Sequence, residues 1–400
     1  MILLGDYNPG AREVRFKPSQ QIHIANLEGP ILAADHNLPI CLKAGPNIFS
    51  STLPSSDNQL VFSLANNHSM DYGMEGLRAT IDNLKQRFKY GGAGESLIKA
   101  RQPIIVEDKG MKIGILFCCE AQFGIAQNKR PGVAEFGPWI YGAIRQLKSE
   151  ADAVIVSVHA SVEDSPWPSP FISDLYKSFI AAGARVVHGH HSHVPQGYEE
   201  YGNGLIFYGM GNFAVDPTKW RDYPNGTWSL AAEVDLNNSN MKWRLLTLEH
   251  CEKGGASNEL SIRESGPAER DIRLNYLEKC NLPLQENELF HALWHEVSLR
   301  CYYYYAAQYM GLPSYKSCRK SLFKQGLSEI KLGVRKVLGS ITNHQHSYLL
   351  AYNMLACESH RQVLLTALGI LGGEIEDLRT TQSQLLADEM MPWSRGVVPE

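Results

Sequence analysis

The sequence has no apolar run approaching the ~20 residues that a membrane-spanning helix needs. Its most apolar stretch, residues 363–371, is too short, so no membrane span is expected. The opening Met1-Ile2-Leu3-Leu4-Gly5-Asp6 has no basic n-region, apolar h-region or small-residue cleavage site. Eight cysteines are present, yet none forms a C-x-x-C pair. Adjacent Cys118-Cys119 lies in an apolar run and reads as core filler. Scattered thiols without a pairing pattern suit a reducing compartment, so the setting is expected to be cytoplasmic. No Lys/Arg block stands out and the formal net charge is -4. Nucleic acid is therefore not an expected partner. An acidic polymer would need a local basic patch, which the sequence does not show. Internal repeats and low-complexity segments are also missing.

What remains is a globular protein larger than one core. The chain has 400 residues, 44% of them hydrophobic and 20% charged, which makes two domains the expectation. The first 250 residues alternate short apolar, strand-like runs with helical patterns at 74–88, 139–148 and 171–182. Alternation of this kind implies an α/β core. Asp108-Lys109-Gly110 reads as a hairpin turn, so the sheet is not purely parallel. Gly183 reads as the stop of the third helix. Residues 253–258, Lys-Gly-Gly-Ala-Ser-Asn, read as a linker. Beyond it strands are expected to stop, with helical spacing at 288–309, 322–338 and 348–369. The expected domains are 1–252 and an all-helical 267–400.

The densest chemistry lies at Val186-Val187-His188-Gly189-His190-His191-Ser192-His193, four histidines in six residues. The β-branched run reads as a buried strand that ends in a glycine turn and then presents imidazoles, common ligands of Zn, Fe, Ni and Mn. Polar residues recur where other strands are expected to end. Asp6, Asn26 with Glu28, Asn66-Asn67-His68, His159 and Asn212 each follow an apolar run. Open α/β sheets build their sites at the carboxyl ends of strands. Asp and Asn also serve turns, but the histidines and Glu28 have no turn role. Mixed carboxylate, amide and imidazole donors suit one or two divalent ions, with Mn, Fe or Zn foremost. Asp71 either orients His68 as an acid/base pair or caps the helix that follows.

These residues also carry a resemblance. Leu-Leu-Gly-Asp6, Asn26-Leu27-Glu28, Leu64-Ala65-Asn66-Asn67-His68 with Asp71-Tyr72-Gly73, Gly91-Gly92-Ala93-Gly94, His159 with Glu163, His191-Ser192-His193-Val194 and Gly211-Asn212-Phe213 occur in order. The series resembles the CapA family of capsule or poly-γ-glutamate synthesis proteins, over about residues 1–250. That family is similar to calcineurin-like metallophosphoesterases. The resemblance implies a four-layer αββα sandwich, here followed by the helical domain. It implies Asp6, Glu28, Asn67, His159, His191 and His193 as metal ligands, and His68 as the acid that protonates the leaving group. Asn26, Asn66, Glu163, His190 and Asn212 are expected around them. Lys43 is a candidate pocket cation beside the plainer reading of a solvated lysine. The chain departs from the family pattern at His159-Ala160-Ser161, where many members carry His-Trp-Gly.

Three functions stay open on this basis. The first is hydrolysis of a phosphoester by metal-activated water, on a small-molecule or polymer substrate that is anionic. The second is an amide hydrolase or transferase acting on a γ-glutamyl or related capsule polymer. The third is a non-catalytic assembly protein. Tyr302 to Tyr305 span more than a helical turn, so some rings are expected at the surface or at an interface with a protein partner or a second copy. His291 and His295, at i and i+4 without an intervening Glu, are expected to be structural. His344 and His346 read as surface residues.

Overall fold

A computed structural model describes every residue except 17–20, 44, 55–58, 221, 222, 224, 238–240, 253–257, 306–343 and 395–400. Two compact units result, Met1–Cys41 with Asn47–Glu286, and Leu42–Pro46 with Asn287–Glu400.

The first unit is built on two large sheets. The nine-stranded sheet runs in the order β2 (Glu13–Arg15), β17 (Glu259–Glu264), β16 (Lys242–Glu252), β15 (Trp228–Asp235), β1 (Ile2–Asn8), β3 (His23–Leu27), β4 (Leu60–Ser63), β5 (Lys89–Gly91), with β14 (Asn212–Val215) also paired to β1. The six-stranded sheet runs β12 (Tyr198–Tyr201), β13 (Gly204–Phe207), β11 (Val186–His190), β10 (Ala153–His159), β8 (Met111–Cys119), β7 (Ile104–Asp108). A small ladder pairs β6 (Ala93–Gly94) with β9 (Gly132–Val133). Both large sheets mix parallel and antiparallel pairs. The β7–β8 hairpin turns at Lys109 and Gly110, both at positive φ, as the Asp-Lys-Gly signal requires.

Strand alternation divides the six-stranded sheet into two faces. Leu116, Cys118, Val154, Val156, Val158 and Val187 form one core with Ile140 and Ile144 of α3 (Trp139–Leu147) and Ile172, Tyr176 and Phe179 of α4 (Pro170–Ala182). Each such aliphatic side chain contributes about 1.5–3 kcal/mol on burial. The alternate residues Ser157, His159, His188 and His190 face the other way. His188 Nε2 meets the Leu4 carbonyl of β1 at 2.8 Å, so this face packs on the nine-stranded sheet. α1 (Gly73–Leu84) buries Leu77, Thr80 and Leu84, and Thr80 Oγ1 accepts the Ile31 amide at 3.0 Å. The result is the expected α/β sandwich of two sheets between helices.

Two local expectations are corrected. Gly189 lies inside β11, not in a turn after it. A Cβ there would collide with the Tyr208 carbonyl just after the neighbouring strand β13, so glycine serves close packing within the sheet. Strands also continue beyond residue 252. β17 pairs antiparallel with β16, so the Gly-Gly stretch separates two neighbours of one sheet. Glycine-rich composition suits a hairpin connection as well as a linker.

The compact units divide at a different place from the 1–252 and 267–400 segmentation. α6 (Pro267–Gln285) falls in the first unit, where Tyr276 donates to the Pro195 carbonyl at 2.9 Å and Asn281 accepts the Tyr198 amide at 2.8 Å. In the second unit α7 (Asn287–Tyr305) packs against the helices Glu358–Gly372 and Thr381–Met390. Trp294 donates to Thr366, and buried Arg300 joins Glu296, Asp388 and Ser394. Tyr302 and Tyr305 are buried. The 322–338 pattern and the side chains of Tyr303, Tyr304, His344 and His346 lie outside the described residues. No helix among the described residues is long and apolar enough to cross a membrane. The seven described cysteines form no disulfide.

Candidate metal centre

Residues from four strands, two in each large sheet, or from the positions just after them meet between the sheets. Asp6 is delivered by β1 at a point where the pairing register with β14 shifts, a bulge that re-aims the side chain. Gly5 beside it lets the Gly211 carbonyl approach, and that carbonyl accepts the Asp6 amide at 2.9 Å. Glu28 follows β3, and its amide donates to the Tyr7 carbonyl at 3.1 Å. His159 ends β10. His191 and His193 follow β11 with φ of 87° and 57°, left-handed positions that cost a non-glycine residue of order 1–3 kcal/mol each. The turn is held from outside. Asp164 N donates to Ser192 O at 2.9 Å, Ser192 Oγ to Val194 O at 2.7 Å and Tyr276 Oη to Pro195 O at 2.9 Å. Strain held this way marks a site whose side-chain directions are imposed by the surrounding structure.

Three overlapping donor groups result: Asp6, Glu28 and His193; Glu28, His159 and His191; Glu163, His191 and His193. Within each, the donor atoms lie within 4.8 Å of one another. Glu28 belongs to two of the groups. Its Oε1 is 3.5 Å from His193 Nε2 and 3.7 Å from His159 Nε2. Asp6 Oδ2 is buried, has no hydrogen-bond partner, and stands 3.7 Å from His193 Nδ1. Buried carboxylates of this kind call for a cation. Oxygen and imidazole donors suit a borderline divalent ion, so the residues present fit such an ion.

The supporting polar network is continuous. Asn26 Nδ2 bonds Asp6 Oδ1 at 2.8 Å and lies 3.2 Å from His159 Nδ1. Asn66 Nδ2 donates to Asn26 Oδ1 at 3.0 Å, and its Oδ1 accepts the amides of His68 and Ser69. Asn67 Oδ1 lies 3.0 Å from His159 Nε2. Asn212 Oδ1 lies 3.1 Å from His193 Nδ1. His190 sits between Ser157, 3.3 Å away, and Asp6, also 3.3 Å away. Glu163 Oε1 is 4.0 Å from His191 Nε2 and its side chain is 43% exposed. Lys43 is buried within the Leu42–Pro46 segment of the second unit.

Burial and neighbouring charges act against each other in this cluster. Burial, with the neighbouring histidines adding to it, pushes His159 well below the ordinary imidazole range, which keeps a lone pair for a metal. His193 goes the other way. Burial disfavours its cation, but Glu28, Asp6, Glu163 and Asp164 outweigh burial and lift it to about 9. Asp6 is held below its usual range because His190, His193 and Asn26 offset the cost of burial.

His68 stands at the edge of the cluster. Its Nδ1 lies 2.8 Å from Asp71 Oδ2, which also accepts the Ile48 amide at 2.7 Å. The helix-cap alternative for Asp71 is overturned: the cap residue of α1 is Tyr72, and no side chain caps that helix. The i, i+4 pair His291 and His295 enters none of the three donor groups among the described residues. His295 Nδ1 accepts the Leu378 amide at 3.0 Å instead.

Two site residues were missed from the sequence. Glu120 is buried with Oε1 3.3 Å from His191 Nε2. It follows β8 directly, so the strand-end rule that found the others would have found it. Trp220 closes α5 (Pro217–Trp220) with its ring centroid 4.4 Å from that of His193. No sequence signal pointed to it.

The model of the bacterial capsule synthesis protein PGA_cap family matches residues 5–217. The chain belongs to the PGA_cap family. Two relatives are the capsule biosynthesis protein CapA of Bacillus anthracis and the PGA biosynthesis protein CapA of Bacillus subtilis. The first is 32% identical over 207 residues, covering 48% of this chain and 49% of that protein. The second is 37% identical over 172 residues, covering 41% of this chain and 45% of that protein. The chain thus spans about half the length of the curated relatives it matches. Among solved structures, a phosphatase of Mycoplasma pneumoniae aligns at a TM-score of 0.35 and 13% identity, over 69% of this chain and 97% of that one. The PGA_cap segment contains every residue of the three donor groups and ends three residues before Trp220.

Proposed function

We propose that this chain is a divalent-metal-dependent hydrolase of phosphoesters that serves capsule or polyglutamate synthesis. The observation that carries the reading is the sharing of Glu28 between two donor groups, Asp6–Glu28–His193 and Glu28–His159–His191. A carboxylate placed so is suited to holding one ion or bridging two. A divalent ion bound there supplies Lewis acidity and a water acidified toward neutral pH.

The remaining roles belong to the chain. Asp6, Glu28, His159, His191 and His193 hold the ion, and Asn67 adds an amide oxygen beside His159. Asn26, Asn66 and Asn212 fix the rings and carboxylates by hydrogen bonds, the support that metal ligands need. The Nδ1 contact to Asp71 fixes the ring of His68, so that its Nε2 donates a proton to the leaving oxygen as the P–O bond breaks. A bound divalent ion would offer the phosphoryl oxygens of a phosphoester a Lewis-acidic partner.

The test is metal analysis of purified protein with activity on an aryl phosphodiester, comparing wild type with Glu28→Ala and His191→Ala. The reading expects bound metal and turnover in the wild type and loss of both in the variants. Wild type without metal at neutral pH counts against it. A second reading, hydrolysis or transfer of an amide in a γ-glutamyl polymer, draws on the PGA biosynthesis name of the Bacillus subtilis relative. The same centre serves carbonyl attack. A panel of peptides and phosphoesters separates the two.

A further inference from the structure

The cluster has one side open to solvent, and that side carries an aromatic wall. Asp6, Glu28, His159, His191 and Glu120 are all at most 2% exposed. The side chains of His193 and His68 reach 8% and 10%, and Glu163 reaches 43%. A substrate must therefore arrive over His193, His68 and Glu163. Trp220 leans on His193 at 4.4 Å and is only partly covered. Tyr223 continues the surface with its ring 5.4 Å from Trp220 and the residue 47% exposed.

The wall is tied to the centre through one side chain. Asn212 Oδ1 lies 3.1 Å from His193 Nδ1, and its Nδ2 donates to the Gly226 carbonyl at 2.9 Å. The Gly226 amide in turn donates to Tyr223 O at 3.1 Å, and the Tyr223 amide to Trp220 O at 3.0 Å. Trp220 and Tyr223 both lie beyond the family segment, which ends at residue 217.

We infer that Trp220, flanked by Tyr223, is a specificity-determining residue that stacks on a ring carried by the substrate next to its phosphoryl group. The ring is aromatic or the apolar face of a sugar, since both pack on indole. The inference rests on the phosphoester reading and names the substrate class within it. An aromatic contact of this kind is worth about five- to tenfold in affinity.

The test uses binding rather than turnover. Calorimetry on the full chain loaded with Mn compares methylphosphonate, phenylphosphonate and a sugar methylenephosphonate, with metal content measured alongside. The wild type is expected to bind at least one ring-bearing probe about five- to tenfold tighter than methylphosphonate. The two ring-bearing arms decide between aryl and sugar. Trp220→Ala should bring that ratio near one with metal content unchanged, and Trp220→Phe should keep most of it. Equal affinity for all three probes in the wild type, or a preference that survives Trp220→Ala, overturns the inference and leaves the hydrolase reading standing. A metal-loaded wild type that binds none of the probes overturns both. Should Trp220→Ala fail to fold, Trp220→Leu, which keeps apolar bulk against His193 but has no ring, gives the same readout: a ratio near one is expected and a surviving preference overturns the inference.

Discussion

Replacing His68 should separate protonation of the leaving group from metal binding. His68 enters none of the three donor groups, and its Nδ1 is engaged by Asp71 at 2.8 Å. Asp71 is fully buried and is also fixed by the Ile48 amide at 2.7 Å. The carboxylate therefore stays in place whatever happens to the ring. A general acid contributes about 10²–10⁴ in rate, so His68→Ala should cost that much on an alkyl phosphodiester, whose leaving oxygen needs a proton. Asp71→Asn keeps the shape but weakens a charge-assisted bond worth ~1.5–3 kcal/mol, which corresponds to roughly 10–150-fold. A p-nitrophenyl ester leaves readily without a proton, and both losses should shrink to less than about tenfold there. The assay is steady-state kinetics on the two esters, with metal content measured in parallel. Equal losses on both esters, or loss of metal from either variant, would refute the assignment of His68 as the acid.

Other expectations follow from named contacts. Glu120→Gln removes the carboxylate 3.3 Å from His191 Nε2 and should weaken metal affinity about 10- to 100-fold, read by competition with a chelating dye. Affinity unchanged would remove Glu120 from the site. Gly189→Ala sets a methyl group against the Tyr208 carbonyl and should destabilise the fold by about 3 kcal/mol or more, read by denaturant melting. Burial lowers His360 of the second unit to about 4. The unfolded chain then takes up a proton near pH 6.5 that the folded chain refuses. Stability is full above pH 6.5 and falls by up to ~3 kcal/mol as the pH drops toward 4. His360→Leu should flatten that part of the thermal-melting profile. An unchanged slope would show that another group controls it.

The strand ends were legible because chemistry and periodicity coincide there. Val154 to Val158 announces a buried strand, and a histidine directly after it has no turn role, so His159 stood out. The same rule reached Asp6, Glu28, His191 and His193, four more members of the donor groups. It missed Glu120 because Cys118-Cys119 drew the reading toward core packing. Gly189 was misplaced because glycine marks turns and close backbone approaches alike, and only the partner strand tells them apart. The strand β17 was lost to the same ambiguity in the Gly-Gly stretch before it. Trp220 was out of reach because its contact with His193 comes from tertiary placement of a four-residue helix, which carries no periodic signal. The choice for Asp71 between cap and partner of His68 likewise needed coordinates, since both readings demand a carboxylate at one position.

The central claim is that Glu28, His159, His191, His193 and Asp6 share a cation. Anomalous scattering from crystals grown with Mn tests it most directly. The account predicts a peak within coordination distance of a Glu28 carboxylate oxygen and of a His193 or His191 nitrogen, absent in Glu28→Ala. Well-ordered crystals whose strongest peak lies elsewhere, with none beside Glu28, would contradict it.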